Sequence, residues 1–256
     1  MKNLNLKDKL VNNEITIGSW ITIDHPSIIE ILANAGFEWL AIDLEHNMMN
    51  PQNIVNLIRT IQSYGIAALV RVSKNDEVII KHVLDGGADG IIVPMVKNRQ
   101  DALNAIKFAK YPPVGERGVG LSRAQDYGFG FEEYMKWAEE NLVIIAQIEH
   151  YEGVNNLKSI INTIGIDAVF IGPYDLSSSL GFPGDYDKKE VLEALQIFES
   201  VCKDNNFTMG YHIVPPKLEL VKNKIESGYK FIAVSTDFFF LANSSYDLMA
   251  KINSIK

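Results

Sequence analysis

Eight short runs of apolar and β-branched residues alternate with stretches of helical period along this 256-residue chain, and that alternation leaves few folds open. The runs are 15–23 (ITIGSWITI), 39–45 (WLAIDLE), 67–73 (AALVRVS), 90–96 (GIIVPMV), 142–149 (LVIIAQIE), 168–175 (AVFIGPYD), 208–214 (TMGYHIV) and 231–236 (FIAVST). A last helical stretch covers 238–254. Strands of this kind are apolar on both faces because helices cover the outside and a packed barrel fills the inside. Eight such units in about 250 residues predict one closed (β/α)8 TIM barrel, a single domain over 1–256. A doubly wound open sheet competes. It calls for a glycine-rich phosphate turn after the first strand, and Asp24-His25-Pro26-Ser27 is not one.

Three glycine-bearing segments, 35–38, 86–90 and 227–230, stand where a helix ends and the next strand begins, and read as helix caps. One connection breaks the pattern: 110–130 (KYPPVGERGVGLSRAQDYGFG) is rich in Gly, Pro and Arg. Long loops of that kind are usually functional, and with Arg117 and Arg123 present this one reads as an active-site or subunit-contact loop.

The net charge of −8 and the lack of a basic stripe argue against a nucleic-acid binder. No apolar run approaches the roughly 18 residues needed to cross a bilayer. A single cysteine, Cys202, cannot close an intramolecular disulfide and lies in a helical pattern as packing. The start Met1-Lys2-Asn3-Leu4 lacks the apolar stretch of a signal peptide, so a cytoplasmic location is expected.

Active sites of such barrels lie at the C-terminal ends of the strands, and those ends are unusually polar here. They carry Asp43, Glu45 and His46, then Arg71, Gln147 and Glu149, Asp175, His212, and finally Thr236 and Asp237. Strand residues two apart share a face, so Gln147 and Glu149 point together into the mouth. A carboxylate buried there stays ionised only if a cation or hydrogen-bond donors hold it. Asp175 ends the next strand, and two carboxylates without a His or Cys cluster suit Mg²⁺ or Mn²⁺ better than structural zinc. Pairing with Arg71 or capping of a helix is the other use for such carboxylates. A Schiff-base aldolase would need a lysine inside the barrel, and no predicted strand has one in its interior.

Several segments resemble the HpcH/HpaI family of class II, metal-dependent pyruvate aldolases, from about Gly18 to the final helix. They are Ile42-Asp43-Leu44-Glu45-His46-Asn47, Leu69-Val70-Arg71-Val72, Leu84-Asp85-Gly86-Gly87-Ala88, Pro94-Met95-Val96, Gly115-Glu116-Arg117-Gly118-Val119-Gly120, Gln147-Ile148-Glu149 and Phe170-Ile171-Gly172-Pro173-Tyr174-Asp175-Leu176-Ser177. The resemblance implies a barrel of the phosphoenolpyruvate/pyruvate type. It also implies a divalent cation, Mg²⁺, Mn²⁺ or Co²⁺, on Glu149 and Asp175, and reversible cleavage of a 4-hydroxy-2-oxo acid to pyruvate and an aldehyde. By the same resemblance His46 is the base, Asp85 tunes it, and Arg71 stabilises enolate charge. Gln147, Gly172, Tyr174, Asp175 and His212 are then substrate contacts.

Tyr174 departs from the small residue common at its position, and Gly210–Pro216 is more polar and proline-rich than in dicarboxylate-degrading members. His150 alternates away from Glu149 and reads as packing or a subunit contact. A citrate-lyase-like CoA-ester lyase and a catalytically silent binding protein on the same fold are the alternatives. The first lacks a cationic adenosine-phosphate site; the second is disfavoured by His46, Arg71, Glu149 and Asp175 standing together. Phe238-Phe239-Phe240 cannot all face one side of a helix. The resemblance therefore implies a homo-oligomer, a hexamer built as a trimer of dimers, with the last helix packed on or exchanged with a neighbour.

Overall fold

The computed structural model describes residues 6–256; the start Met1-Lys2-Asn3-Leu4 lies outside them. Eight parallel strands close into a barrel in chain order: β1 (Thr16–Ile21), β2 (Trp39–Asp43), β3 (Ala67–Arg71), β4 (Gly90–Val93), β5 (Val143–Ile148), β6 (Ala168–Ile171), β7 (Met209–Ile213) and β8 (Phe231–Thr236), with β8 pairing back onto β1. The open sheet is thereby excluded. All eight expected strands form, but several stop short of their expected C-terminal ends. β6 stops at Ile171 because Pro173, at the first position of helix Pro173–Ser179, has no N–H for the ladder and a φ suited to a helix start. Asp175 therefore sits in the first turn of that helix, not at a strand end.

Inside the barrel the ring of Trp39 stacks on Phe231 at 4.2 Å, Phe170 meets Phe231 edge-on at 5.7 Å, and Trp20 meets Phe170 at 5.9 Å. A Cβ on Gly18 would fall within the Trp39 ring, so this strand glycine makes room for the largest interior side chain. Leu6 and Leu10 join the same interior cluster from helix Leu6–Val11, an element the sequence pattern did not announce. That helix closes the N-terminal end of the barrel. Lys7 reaches the Leu142 carbonyl at 3.0 Å and Asp167 at 3.2 Å, and the Thr208 hydroxyl donates to the Leu10 carbonyl at 2.6 Å.

A second, larger core lies between strands and helices and includes Cys202, which is fully buried. Gly36, Gly87 and Gly228 follow three helices at φ of 97°, 96° and 96°, as the expected caps. Segment 110–130 does not reach the barrel mouth. Arg117 is buried and donates to Asp85 at 2.6 Å and to the Tyr134 hydroxyl at 3.1 Å. Arg123 donates to the Gly86 carbonyl at 2.9 Å and to Gln62 at 2.7 Å. Both clamp the C-terminal end of helix Glu77–Asp85, which lies beside the start of β4. This corrects the active-site reading of the loop.

Candidate active site

At the end of β2, Asp43 accepts two hydrogen bonds from Arg71, each 2.8 Å, in the forked geometry that suits guanidinium to carboxylate. It also accepts from the Glu45 N–H at 3.0 Å and the Asn47 amide at 3.2 Å. Burial works against the Asp43 charge, but Arg71 outweighs it and holds this carboxyl below the usual range. The third arm of Arg71 lies 3.1 Å from Glu45, and the face of Trp20 lies 4.5 Å from the guanidinium carbon. Arg71 is thus fixed on three sides.

Glu149 follows β5 and is almost fully buried. Its Oε1 accepts the Met95 N–H at 2.7 Å, and its Oε2 accepts from the Gln147 side-chain amide, so the two alternating residues do share one face. Met95 adopts φ of 54°, a left-handed conformation that is strained for a residue with a side chain and that aims its N–H at the carboxylate. Gly172 closes the opposite side: a Cβ there would come 2.8 Å from Glu149 Cβ. Burial pushes Glu149 up, its two donors oppose, and Asp175 pushes it further. Glu45 behaves alike. Burial carries it up to about 7 against the pull of Arg71, with Glu149, Asp43 and Asp175 adding to the rise.

Four carboxylates, Asp43, Glu45, Glu149 and Asp175, therefore crowd one mouth with a single guanidinium among them, and the Oε1 of Gln147 is buried with no hydrogen-bond partner. Such a site is short of positive charge. Among the described residues no group of three His, Cys, Asp or Glu side chains is arranged to hold a metal ion. A divalent cation would rest on Glu149 and Asp175 and complete its shell with water or substrate oxygens, which is how Mg²⁺ usually binds. On the donor chemistry, the residues fit the ion.

Arg71, Gln147, Gly172, Tyr174, Asp175 and His212 line one pocket of about 310 Å³, so the expected substrate contacts converge. His212 points inward from β7, edge-on to Trp20 at 5.8 Å, with Nε2 3.2 Å from the Ser235 carbonyl. A carbonyl only accepts, so Nε2 carries the proton. Burial holds this ring down to about 4, and it is neutral near pH 7. Tyr174 is 57% exposed and stands at the rim without filling the pocket. His46 is exposed beside the mouth, its Nε2 3.8 Å from Glu45.

Asp85 does not join them. It ends a helix at the closed end of the barrel, whereas His46 follows β2 at the open end, and the Arg117 guanidinium occupies it. The expected His46–Asp85 pairing is not made within the chain. His150 is a helix N-cap whose Nδ1 accepts the Glu152 N–H at 3.2 Å. Asp237 accepts the N–H groups of Thr22 and Ile23 at 2.8 and 2.7 Å and ties β8 to the loop after β1. Glu45 and Trp20 are site residues to which sequence reasoning gave no role; the nearness of Glu45 to His46 was the available signal.

The pattern of the family described as HpcH/HpaI aldolase/citrate lyase matches residues 16–244. The chain is 38% identical over its whole length to the 4-hydroxy-2-oxo-heptane-1,7-dioate aldolase of Salmonella dublin, covering 97% of that protein. It is similar to the crystal structure of a HpcH/HpaI aldolase/citrate lyase family protein from Burkholderia cenocepacia at a TM-score of 0.91 and 29% identity, covering 98% of this chain and 100% of that one. A citrate synthase, SbnG, is similar at 0.85 and 28%, with 98% and 99% covered.

Proposed function

Because this chain belongs to the HpcH/HpaI aldolase/citrate lyase family, we propose that it is an aldehyde-lyase that reversibly cleaves a 4-hydroxy-2-oxo acid to pyruvate and an aldehyde. The Salmonella relative is named for a substrate of that class. The observation that carries the reading is the cation-deficient group of carboxylates, Asp43, Glu45, Glu149 and Asp175, gathered about one guanidinium, Arg71, beside a small pocket that Arg71 and Asp175 line. Glu149 and Asp175 would hold a divalent cation, Mg²⁺, Mn²⁺ or Co²⁺. When bound, it supplies Lewis-acid polarisation of the 2-oxo group.

The chain's own groups do the rest. Gln147 offers its unpartnered Oε1 to a donor, the substrate hydroxyl or a bound water, while Gly172 and the first turn of helix Pro173–Ser179 position the 2-oxo acid. His46 accepts the proton of the C4 hydroxyl as the C3–C4 bond breaks. The hydroxyl electrons form the aldehyde carbonyl, the bond pair passes to C3 as an enolate, and a proton delivered to C3 gives pyruvate. Arg71, held rigid by Asp43 and Trp20, is a fixed positive charge beside the growing enolate and pays no reorganisation when the charge appears. Neutral His212 lines the wall as a hydrogen-bonding contact. We place the enzyme in the cytoplasm and read it as a homo-oligomer, the latter supported by the apolar face left open on its last helix. The test is release of pyruvate from a 4-hydroxy-2-oxo acid by metal-loaded protein; wild-type protein without that activity overturns the reading.

A further inference from the structure

The last strand ends in a bulge. Gly18 of β1 pairs with Ala233, but Trp20 pairs with Thr236, so β8 carries one extra residue opposite Ser19. Within the bulge Ser235 adopts φ of 56°, a left-handed conformation that is strained for a residue with a side chain. The Ser19 hydroxyl, donating to the Val234 carbonyl at 2.8 Å, holds the bulge from the neighbouring strand. What the bulge presents is the Ser235 carbonyl, 3.2 Å from Nε2 of His212 on β7.

That contact fixes the state of the imidazole. A carbonyl only accepts, so the proton sits on Nε2 and Nδ1 is left as an acceptor. Nδ1 takes no hydrogen bond from the described residues, and it is not sealed in: it opens on the pocket that His212 lines. Burial holds the ring down to about 4, so the acceptor is present near pH 7. An acceptor held in a desolvated wall gains most from a ligand that brings a donor to it; a methyl group leaves it unpaired.

The position of His212 says which atom of the substrate it meets. Trp20 lies face-on to Arg71 at 4.5 Å and edge-on to His212 at 5.8 Å, so the imidazole stands beside the guanidinium that faces the enolate. Arg71 and Asp43 are the charges its ring feels. His46, which handles the C4 hydroxyl, follows β2, and β1 and β8 lie between it and β7. A hydroxyl that reaches Nδ1 is therefore carried by C3, the enolate carbon, and not by the aldehyde fragment.

We infer that the site takes hydroxypyruvate as well as pyruvate as its 2-oxo acid, and that His212 recognises the hydroxyl on C3. This rests on the pyruvate-aldolase reading and adds a second reaction to it, cleavage of a 3,4-dihydroxy-2-oxo acid. The C4 hydroxyl proton passes to His46 and the hydroxyl electrons form the aldehyde carbonyl as the C3–C4 bond breaks. The bond pair passes to the hydroxylated C3 as an enolate, and a proton delivered to C3 gives hydroxypyruvate.

The experiment compares pyruvate and hydroxypyruvate as donors to propanal in Mg²⁺-loaded wild type, His212→Leu and His212→Gln. Wild type should condense both. His212→Leu should lower the ratio of kcat/KM for hydroxypyruvate to that for pyruvate by ~10–100-fold, the range for a buried hydroxyl that loses its acceptor. His212→Gln, whose amide can donate to the Ser235 carbonyl while its oxygen accepts, should recover most of that ratio. The ¹⁵N resonance of His212 Nδ1 needs no variant: in wild type it should move upfield with hydroxypyruvate and stay in place with pyruvate. An unchanged ratio in His212→Leu, an Nδ1 resonance indifferent to hydroxypyruvate, or wild type that condenses pyruvate alone would overturn this inference and leave the aldolase reading standing. So would a variant that, with pyruvate as donor, loses its preference for glycolaldehyde over propanal instead, since the hydroxyl would then belong to the aldehyde. Wild-type protein that condenses neither donor and releases no pyruvate from a 4-hydroxy-2-oxo acid would overturn the aldolase reading and the inference with it.

Discussion

The Met95 N–H lies 2.7 Å from Oε1 of Glu149, donated from a left-handed backbone position in the turn after β4. A strained turn on one strand thus orients a carboxylate on the next, and the protein accepts that strain to hold a charge where burial opposes it. With Gln147 on its other oxygen, Glu149 is positioned before any ligand arrives.

Metal should act on stability as well as on turnover. A cation that binds only the folded state at 100-fold over its Kd contributes about 2.7 kcal/mol, a rise of about 5–10 °C in Tm for a chain this size. Chelation should abolish pyruvate release, and Mg²⁺, Mn²⁺ or Co²⁺ should restore both activity and Tm. Glu149→Gln should lose both responses. Full activity in verified metal-free protein would refute the metal reading.

His46 stands in the open beside the mouth, so its replacement should spare the fold. We expect His46→Ala to lower aldol cleavage by roughly 10²–10⁴ while metal content stays at the wild-type value. Loss of metal in step with activity would make His46 a ligand or a scaffold residue.

Arg71→Lys separates charge from geometry. Lysine keeps the charge but cannot reach Asp43 with two arms and Glu45 with a third, nor lie flat against Trp20. A fall in kcat of about 10²–10³ is expected, the usual cost of removing a preorganised donor at developing charge. A near-wild-type kcat would reduce Arg71 to a structural ion pair.

His212 predicts an acid limb in stability. Its folded pKa of about 4 lies below the ordinary 6.5, because burial favours the neutral ring. The unfolded chain therefore binds more protons between these values. The stabilisation is complete above pH 6.5 and is lost as pH falls towards 4. His212→Gln, which can still donate to the Ser235 carbonyl, should flatten the slope of Tm against pH in that window; an unchanged slope would contradict the assignment.

Much of the barrel is legible in the chain because each strand must be apolar on both faces, and ITIGSWITI or LVIIAQIE can serve no other purpose here. Glu149, Gln147 and Arg71 follow from period-two alternation and the rule that function sits at strand ends. Asp175 was assigned to the right end but the wrong element, although Gly172-Pro173 carries the helix-start signal. The contact that Asp85 makes within the chain is hidden for another reason. Its partner, Arg117, lies 32 residues away in an irregular loop, and no local pattern encodes that contact. The left-handed turn at Met95 is equally silent, since methionine gives no hint of positive φ.

The last helix, Asp237–Asn253, bears on assembly. Of the three consecutive phenylalanines, Phe240 packs inward against Phe37 at 6.2 Å, while Phe238 is 50% exposed, as the helical period requires of at least one. Leu241, Leu248 and Met249 are 63%, 58% and 48% exposed, and only Asp237 of the whole helix is buried. A helix with so little contact on its own barrel gains little from it. Covering these side chains with a second copy would remove apolar surface worth roughly 25 cal/mol per Å², set against the cost of association. We therefore expect a homo-oligomer, a hexamer arranged as a trimer of dimers, that weakens when the chain is truncated before Phe238. Light scattering at micromolar concentration decides it: a mass of one 28.7 kDa chain with activity intact would rule the assembly out.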